Sequence, residues 1–218
     1  MYELELIKTV EKMPVFSLAD VAKITKSRNY AKKLLSRLTK RKIIKKIMRD
    51  MYTTNDDLFL IAPFLYTPSY ISCASALQYH GLISQIPNAI FLMTPKRSKK
   101  IRYKMHLLYQ KTNKYFGFQM VKYQNIWLPI ADPEKAFIDS IGIHPLNLIY
   151  EALDELNPKK LMLYAKKTDE TKRIGYLFEK NNIQLKLPKK LSYKYIYLDP
   201  LGAKTGEKNK KWRLIINS

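Results

Sequence analysis

The sequence predicts an α+β chain, an N-terminal winged helix-turn-helix domain followed by a mixed α+β C-terminal domain. Three observations carry that expectation. Apolar residues recur with a helical period through residues 1–41, two short β-prone runs follow directly, and beyond residue 69 strand-like and helix-like segments alternate. The expected division is 1–55 for the winged helix, 56–68 for a linker and 69–218 for the second domain.

Leu4, Ile7 and Val10, with Leu6, mark a first amphipathic helix. In "PVFSLADVAKIT" Ser17 stands as N-cap, Asp20 occupies the third helical position, and Leu18, Val21 and Ala22 supply the apolar side of a second helix. Ala31, Leu34, Leu35 and Leu38 fall at i, i+3, i+4 and i+7, a third helix whose N-cap is Ser27. "IIKKIMRDMYTT" then reads as two strands around a turn at Met48–Asp50. Three helices and a hairpin is the order of a winged helix-turn-helix, in which the third helix enters the major groove and the wing rides the backbone or minor groove.

Charge points the same way. Residues 23–49 hold 12 Lys or Arg and no Asp or Glu. A carboxylate on a helix facing phosphates is repelled and cancels a phosphate contact, so a duplex-facing segment excludes acids. The candidate DNA-binding residues are Ser27, Arg28, Asn29, Tyr30, Lys32, Lys33, Arg37, Lys40, Arg41, Lys45, Lys46 and Arg49. Base readout is expected from the start of the third helix, Arg28 to Lys33, where Asn suits adenine and Arg or Lys suits guanine. Tyr30 is expected to pack on the wing instead. A second basic run supplies further candidates for backbone contacts, Lys96, Arg97, Lys99, Lys100 and Arg102, with a solvated loop as the alternative reading.

In the second region, 55–68 carries two acids and two prolines around an apolar middle and reads as a connector, helical between the prolines. "SYISCASALQYHGL" suggests a helix capped by Ser72 and closed by Gly81. Strands are expected at "NAIFLMTPKR", "MHLLYQK" and "YFGFQMVKYQNIWLPIA", the last a pair turning at Gln124–Asn125. "DPEKAFIDSIG" starts a helix with Asp132 as cap and Pro133 at the first position. Residues 145–182 read as helices that alternate acids and bases on exposed positions, and "SYKYIYLD" and "KWRLIIN" as closing strands.

Composition bounds the function. Lys and Arg total 40 against 18 Asp and Glu, a net charge of +22, which predicts a polyanionic partner, nucleic acid before an anionic membrane surface. A thermophile's Lys-rich surface is the blander reading, but it enriches Glu together with Lys. No apolar run approaches roughly 18 residues, so no membrane span is expected. The N-terminus carries acids and lacks a signal-peptide pattern, so a cytoplasmic protein is expected. Cys73 is the single cysteine, and His80, His106 and His144 are scattered, so neither a disulfide framework nor a metal site is expected. With 6 glycines, no phosphate cradle and no base beside Ser72 or Ser75, neither an enzyme nor a cofactor is anticipated. The 16 Tyr and 8 Phe invite an RNA-binding alternative, weighed against core use in "YFGF" and "YKYIY".

At "YISCASALQYHGLISQIP" and "IADPEKAFIDSI" the chain resembles the AbiEi family of antitoxins and transcriptional regulators of type IV toxin–antitoxin systems. "FSLADVAK", "YAKKLLSRLTKRKII", "YFGF" and "YLDPLGAKTGEKNKKWRLIIN" extend the resemblance over nearly the whole chain. The sequence departs from it at Lys42 and Asp50, where members often carry Gly. The resemblance implies an antitoxin that binds inverted repeats in its own promoter, as monomer or dimer on double-stranded DNA, and counters a nucleotidyltransferase-like toxin through its C-terminal domain. The alternatives are an RNA-binding protein and a stand-alone transcription factor with a protein-interaction domain.

Overall fold

A computed structural model describes residues 2–165, 168–183 and 191–217 and is a mixed α+β fold with three sheets. The N-terminal part runs α1 (Tyr2–Val10), β1 (Phe16–Ser17), α2 (Leu18–Thr25), α3 (Arg28–Lys40), β2 (Lys45–Met48) and β3 (Met51–Thr53). Ser17 and Asp20 form the expected capping box, and Ser27 accepts from the Tyr30 amide to cap α3. Between the two helices Lys26 adopts a left-handed φ of 57°. The hairpin turns through Asp50 at φ 59°, a conformation Asp tolerates better than most residues. Strand β1 was not expected, being two residues long. It pairs with β3 and closes an antiparallel sheet in the order β1-β3-β2.

A small core holds this part together. Leu6, Val10, Phe16, Leu18, Val21, Ala31, Leu34, Leu35, Leu38 and Ile44 are buried in one cluster. The expected role of Leu4 is corrected: it is 72% exposed. Two residues before Leu6 on a helix is about 200° around the axis, so only one of the two can face the core.

The larger part contains α4 (Leu58–Leu65), β4 (Tyr70–Ile71), α5 (Cys73–Tyr79), β5 (Ala89–Thr94), β6 (Lys99–Tyr103), β7 (Met105–Lys111), β8 (Phe118–Tyr123), β9 (Ile126–Ala131) and α6 (Pro133–Ser140). After α7 (Leu146–Tyr150), a 3-10 helix (Glu151–Glu155), α8 (Pro158–Tyr164) and α9 (Thr168–Lys180), the chain closes with β10 (Ile196–Tyr197), β11 (Glu207–Asn209) and β12 (Leu214–Ile216). The main sheet has six strands in the order β6-β7-β5-β4-β9-β8, with β6 and β8 at its edges, and the small one runs β10-β12-β11. Gly175 on α9 lies under Trp212 so closely that a Cβ there would sit 2.0 Å from the indole, which fixes the small sheet against α9. No described helix is long and apolar enough to cross a membrane.

Several expectations change. The stretch 56–68 is not a connector: α4 runs through Pro63, and Leu60, Ile61, Ala62 and Leu65 are buried in the larger core. Its apolar middle outweighs its loop-forming ends. Ile47 of β2 also packs into that larger core, so the hairpin touches both clusters. Part of the run 96–102 is strand β6 rather than loop, because Ile101 points inward and β7 pairs with it. Ser72 precedes α5 but makes no cap bond, since its hydroxyl donates to Asp139 Oδ2 at 2.8 Å. The mixed-charge helices are not uniformly exposed. Lys172 is buried and donates to the Lys194 carbonyl at 2.6 Å.

Candidate nucleic-acid interface

The inward stripe of α3 fixes what points outward. With Ala31, Leu34, Leu35 and Leu38 in the core, Arg28, Asn29, Lys32, Lys33, Ser36, Arg37, Lys40 and Arg41 are all exposed. Lys32, Lys33, Ser36, Arg37, Lys40 and Arg41 line a shallow groove along the helix. A second hollow opens between α3 and the small sheet, where Lys32, Ser36 and Lys40 face Lys46, Asp50 and Tyr52. Helix and hairpin thus share one surface on which Lys32, Lys40 and Lys46 outnumber the exposed Asp50. Ser27 spends its oxygen on the helix cap. Tyr30, expected on the wing, is 41% exposed at the first turn of α3.

The two flanks of α3 differ. On the α1 side Arg37 Nη2 pairs with Glu3 Oε2 at 2.6 Å, and Arg41 pairs with the other oxygen of the same carboxylate. On the hairpin side Lys46 and Arg49 are exposed. Lys45 is instead half-buried and paired with Asp56, which also takes Lys104 from the β6–β7 turn. Those two ammonium groups hold the Asp56 carboxyl down to about 2. Sequence reasoning missed both acids. The Glu3–Arg pairs span 34 and 38 residues, and no local pattern signals them.

The second basic run lies on the edge strand β6 and the turn before it. Lys96, Arg97, Lys99, Lys100 and Arg102 are exposed. The Lys99 and Lys96 ammonium groups lie 4.8 and 5.5 Å from the Tyr66 ring centre, and the Tyr66 hydroxyl donates to the Arg97 carbonyl at 3.2 Å. Lys100 and Arg102 alternate with buried Ile101 and project from the other face of the strand.

A buried polar cluster sits elsewhere. Lys135 Nζ donates to Tyr70 at 2.9 Å and pairs with Asp139 Oδ1, while Asp139 Oδ2 accepts from Tyr70 and Ser72 at 2.9 and 2.8 Å. Burial pushes the Asp139 carboxyl and the Tyr70 phenol up, and the Lys135 charge pulls the carboxyl back. The Cys73 thiol, buried beside this cluster, is pushed well up by desolvation. Glu134 is buried too, and Lys160 bridges it to Asp132. No local pattern signals this burial: Asp132 and Glu134 open α6, where acids usually stand toward water, and Lys135 and Asp139 follow on the same helix. All four members of the cluster are buried, and they tie β4 and the residue before α5 to α6.

No family model matches the chain, and no curated protein does. Among the described residues no group of three or more His, Cys, Asp or Glu could hold a metal ion.

Proposed function

We propose that the N-terminal part is a winged helix-turn-helix that binds double-stranded DNA, with α3 in the major groove and the β2–β3 hairpin as the wing. The observation that carries this reading is the cationic strip from Lys32, Lys33 and Lys40 on α3 to Lys46 on the hairpin. Cations on that surface suit phosphates, which supply the sequence-independent part of affinity. Arg28 and Asn29, at the exposed start of α3, are the groups placed for base edges. Lys100 and Arg102 on β6 add backbone contacts from the larger part. The pairing of Lys45 and Lys104 through Asp56 ties the hairpin to the β6–β7 turn and supports one shared surface.

The regulatory reading follows from the resemblance to AbiEi-type antitoxins. In it the protein represses its own operon from promoter inverted repeats, and the larger part counters a nucleotidyltransferase-like toxin. The two motifs that carry the resemblance, residues 70–87 and 130–141, meet at the buried Lys135–Asp139–Tyr70 cluster. A full-length variant with Lys32, Lys33 and Lys40 changed to Glu tests both halves at once. It loses repression of a reporter driven by the native promoter yet still restores growth when the neighbouring toxin gene is expressed. Loss of rescue together with repression would assign the antitoxin effect to DNA binding alone.

A further inference from the structure

The small sheet at the end of the chain carries a second concentration of charge, unrelated in position to α3. Within residues 191–217 stand six cations, Lys194, Lys204, Lys208, Lys210, Lys211 and Arg213, against two acids. One of those acids, Asp199, is buried and accepts from the backbone amides of Leu146 and Leu201. Interleaved with the cations are Tyr193, Tyr195 and Tyr197.

The register of the sheet places these groups together. Ile196 and Leu214 pair across β10–β12 and point inward, both buried. Tyr197, Ile215 and Lys208 pair across the three strands on the opposite, outer face, and Tyr195 and Arg213 stand just before the strands β10 and β12. The side-chain geometry agrees. The Arg213 guanidinium lies 5.6 Å from the Tyr195 ring and 5.9 Å from the Tyr193 ring. Lys208 Nζ is 5.6 Å from Tyr195, and Lys204 Nζ is 5.0 Å from Tyr197. Tyr193, at the rim, is 86% exposed.

Cation–ring contacts on a surface are too weak to account for leaving so large a ring in water. Rings alternating with cations on one open face match a different need. Unpaired bases stack on aromatic rings while neighbouring cations take the phosphates. A duplex cannot use the rings, because its bases are already stacked inside. We propose that the outer face of the β10-β12-β11 sheet is a binding platform for single-stranded nucleic acid, with Tyr193, Tyr195 and Tyr197 stacking on bases and Lys204, Lys208 and Arg213 on the phosphates.

The platform is independent of α3, so the two sites are separable by mutation. Full-length protein is titrated against fluorescent 12-mers of uridine and of deoxyuridine, and against a 12-base-pair duplex, by anisotropy over a salt series. Binding of either single strand is expected. Tyr193→Ala weakens it about 5- to 150-fold, the range of one base–ring stack, and Tyr193→Phe restores it. Lys208→Ala lowers the log–log salt slope by about 0.7. Tyr193→Ala leaves duplex affinity unchanged, and the Lys32→Ala/Lys33→Ala pair leaves single-strand affinity unchanged. The relative affinity for the two strands assigns ribose or deoxyribose, and the platform stands with either. It is overturned if neither strand binds, if Tyr193→Ala has no effect, or if the α3 pair alone abolishes single-strand binding.

Discussion

Glu3 on α1 holds Arg37 on α3 at 2.6 Å, and its second carboxylate oxygen takes Arg41. A surface built from an acid-free segment is therefore not free of acids in space. Two of the guanidinium groups expected to meet phosphate are already engaged, which centres the cationic strip on Lys32, Lys33 and Lys40. Replacing Glu3 by Gln releases both arginines. Duplex binding should tighten, and the log–log salt slope should steepen by about 1–2, at about 0.9 for each added phosphate contact. Stability should change by less than about 1 kcal/mol, since the pairs are exposed. Gel shifts over a salt series and a thermal melt check both numbers.

The position of α4 governs where the chain can be cut. A fragment beginning at residue 69 lacks Leu60, Ile61 and Leu65, all buried in the larger core. At about 1.5–3 kcal/mol for each large apolar side chain, the loss is comparable to the whole stability of a domain. Residues 55–218, which keep the Asp57 cap of α4, should unfold cooperatively in urea, and residues 69–218 should show no cooperative transition.

His144 gives the fold an acid-sensitive point. Its ring packs edge-on to Phe91 with centroids 4.3 Å apart, its Nε2 is buried without a hydrogen-bond partner, and burial lowers its pKa to about 4. The unfolded chain takes up a proton near pH 6.5, whereas the folded chain resists until about pH 4. Stability is thus fully present above about pH 6.5 and falls by about 3 kcal/mol as the pH drops through that window. His144→Gln should remove this component, so its urea midpoint should fall less than that of the wild type between pH 7 and pH 4.5.

The Lys135–Asp139 pair is buried, which makes it costly to break and cheap to replace. Asp139→Ala leaves an ammonium group without its counter-charge and should cost about 3–5 kcal/mol. Lys135→Met with Asp139→Leu removes both charges and should recover most of that loss. Urea unfolding of the single and double variants measures the difference. A double variant as unstable as Asp139→Ala would assign the cluster's effect to Tyr70 and Ser72.

How much was legible depended on whether a signal was local. The α3 stripe, the Ser17–Asp20 capping box and the hairpin turn at Asp50 all arise within a few residues, and each stands where its pattern put it. So do β5, β7 and the β8–β9 turn. What was not legible depends on distant partners. Glu3 and Asp56 reach the cationic strip only through tertiary packing, and α4 is buried because a six-stranded sheet lies beside it. Lys135 and Asp139 occupy helix positions that charges normally take toward water, and only the fold turns them inward. Strands of two or three residues, such as β1 and β11, carry too few side chains to show a period.

The most direct test of the account titrates the full-length protein onto a short duplex of arbitrary sequence from low to moderate salt, beside the Lys32→Ala/Lys33→Ala/Lys40→Ala variant. The account predicts strong salt dependence for the wild type and a slope shallower by about 2–3 for the variant, one phosphate contact for each lysine removed. Tight binding that ignores salt, or a slope that the three substitutions leave unchanged, would contradict it.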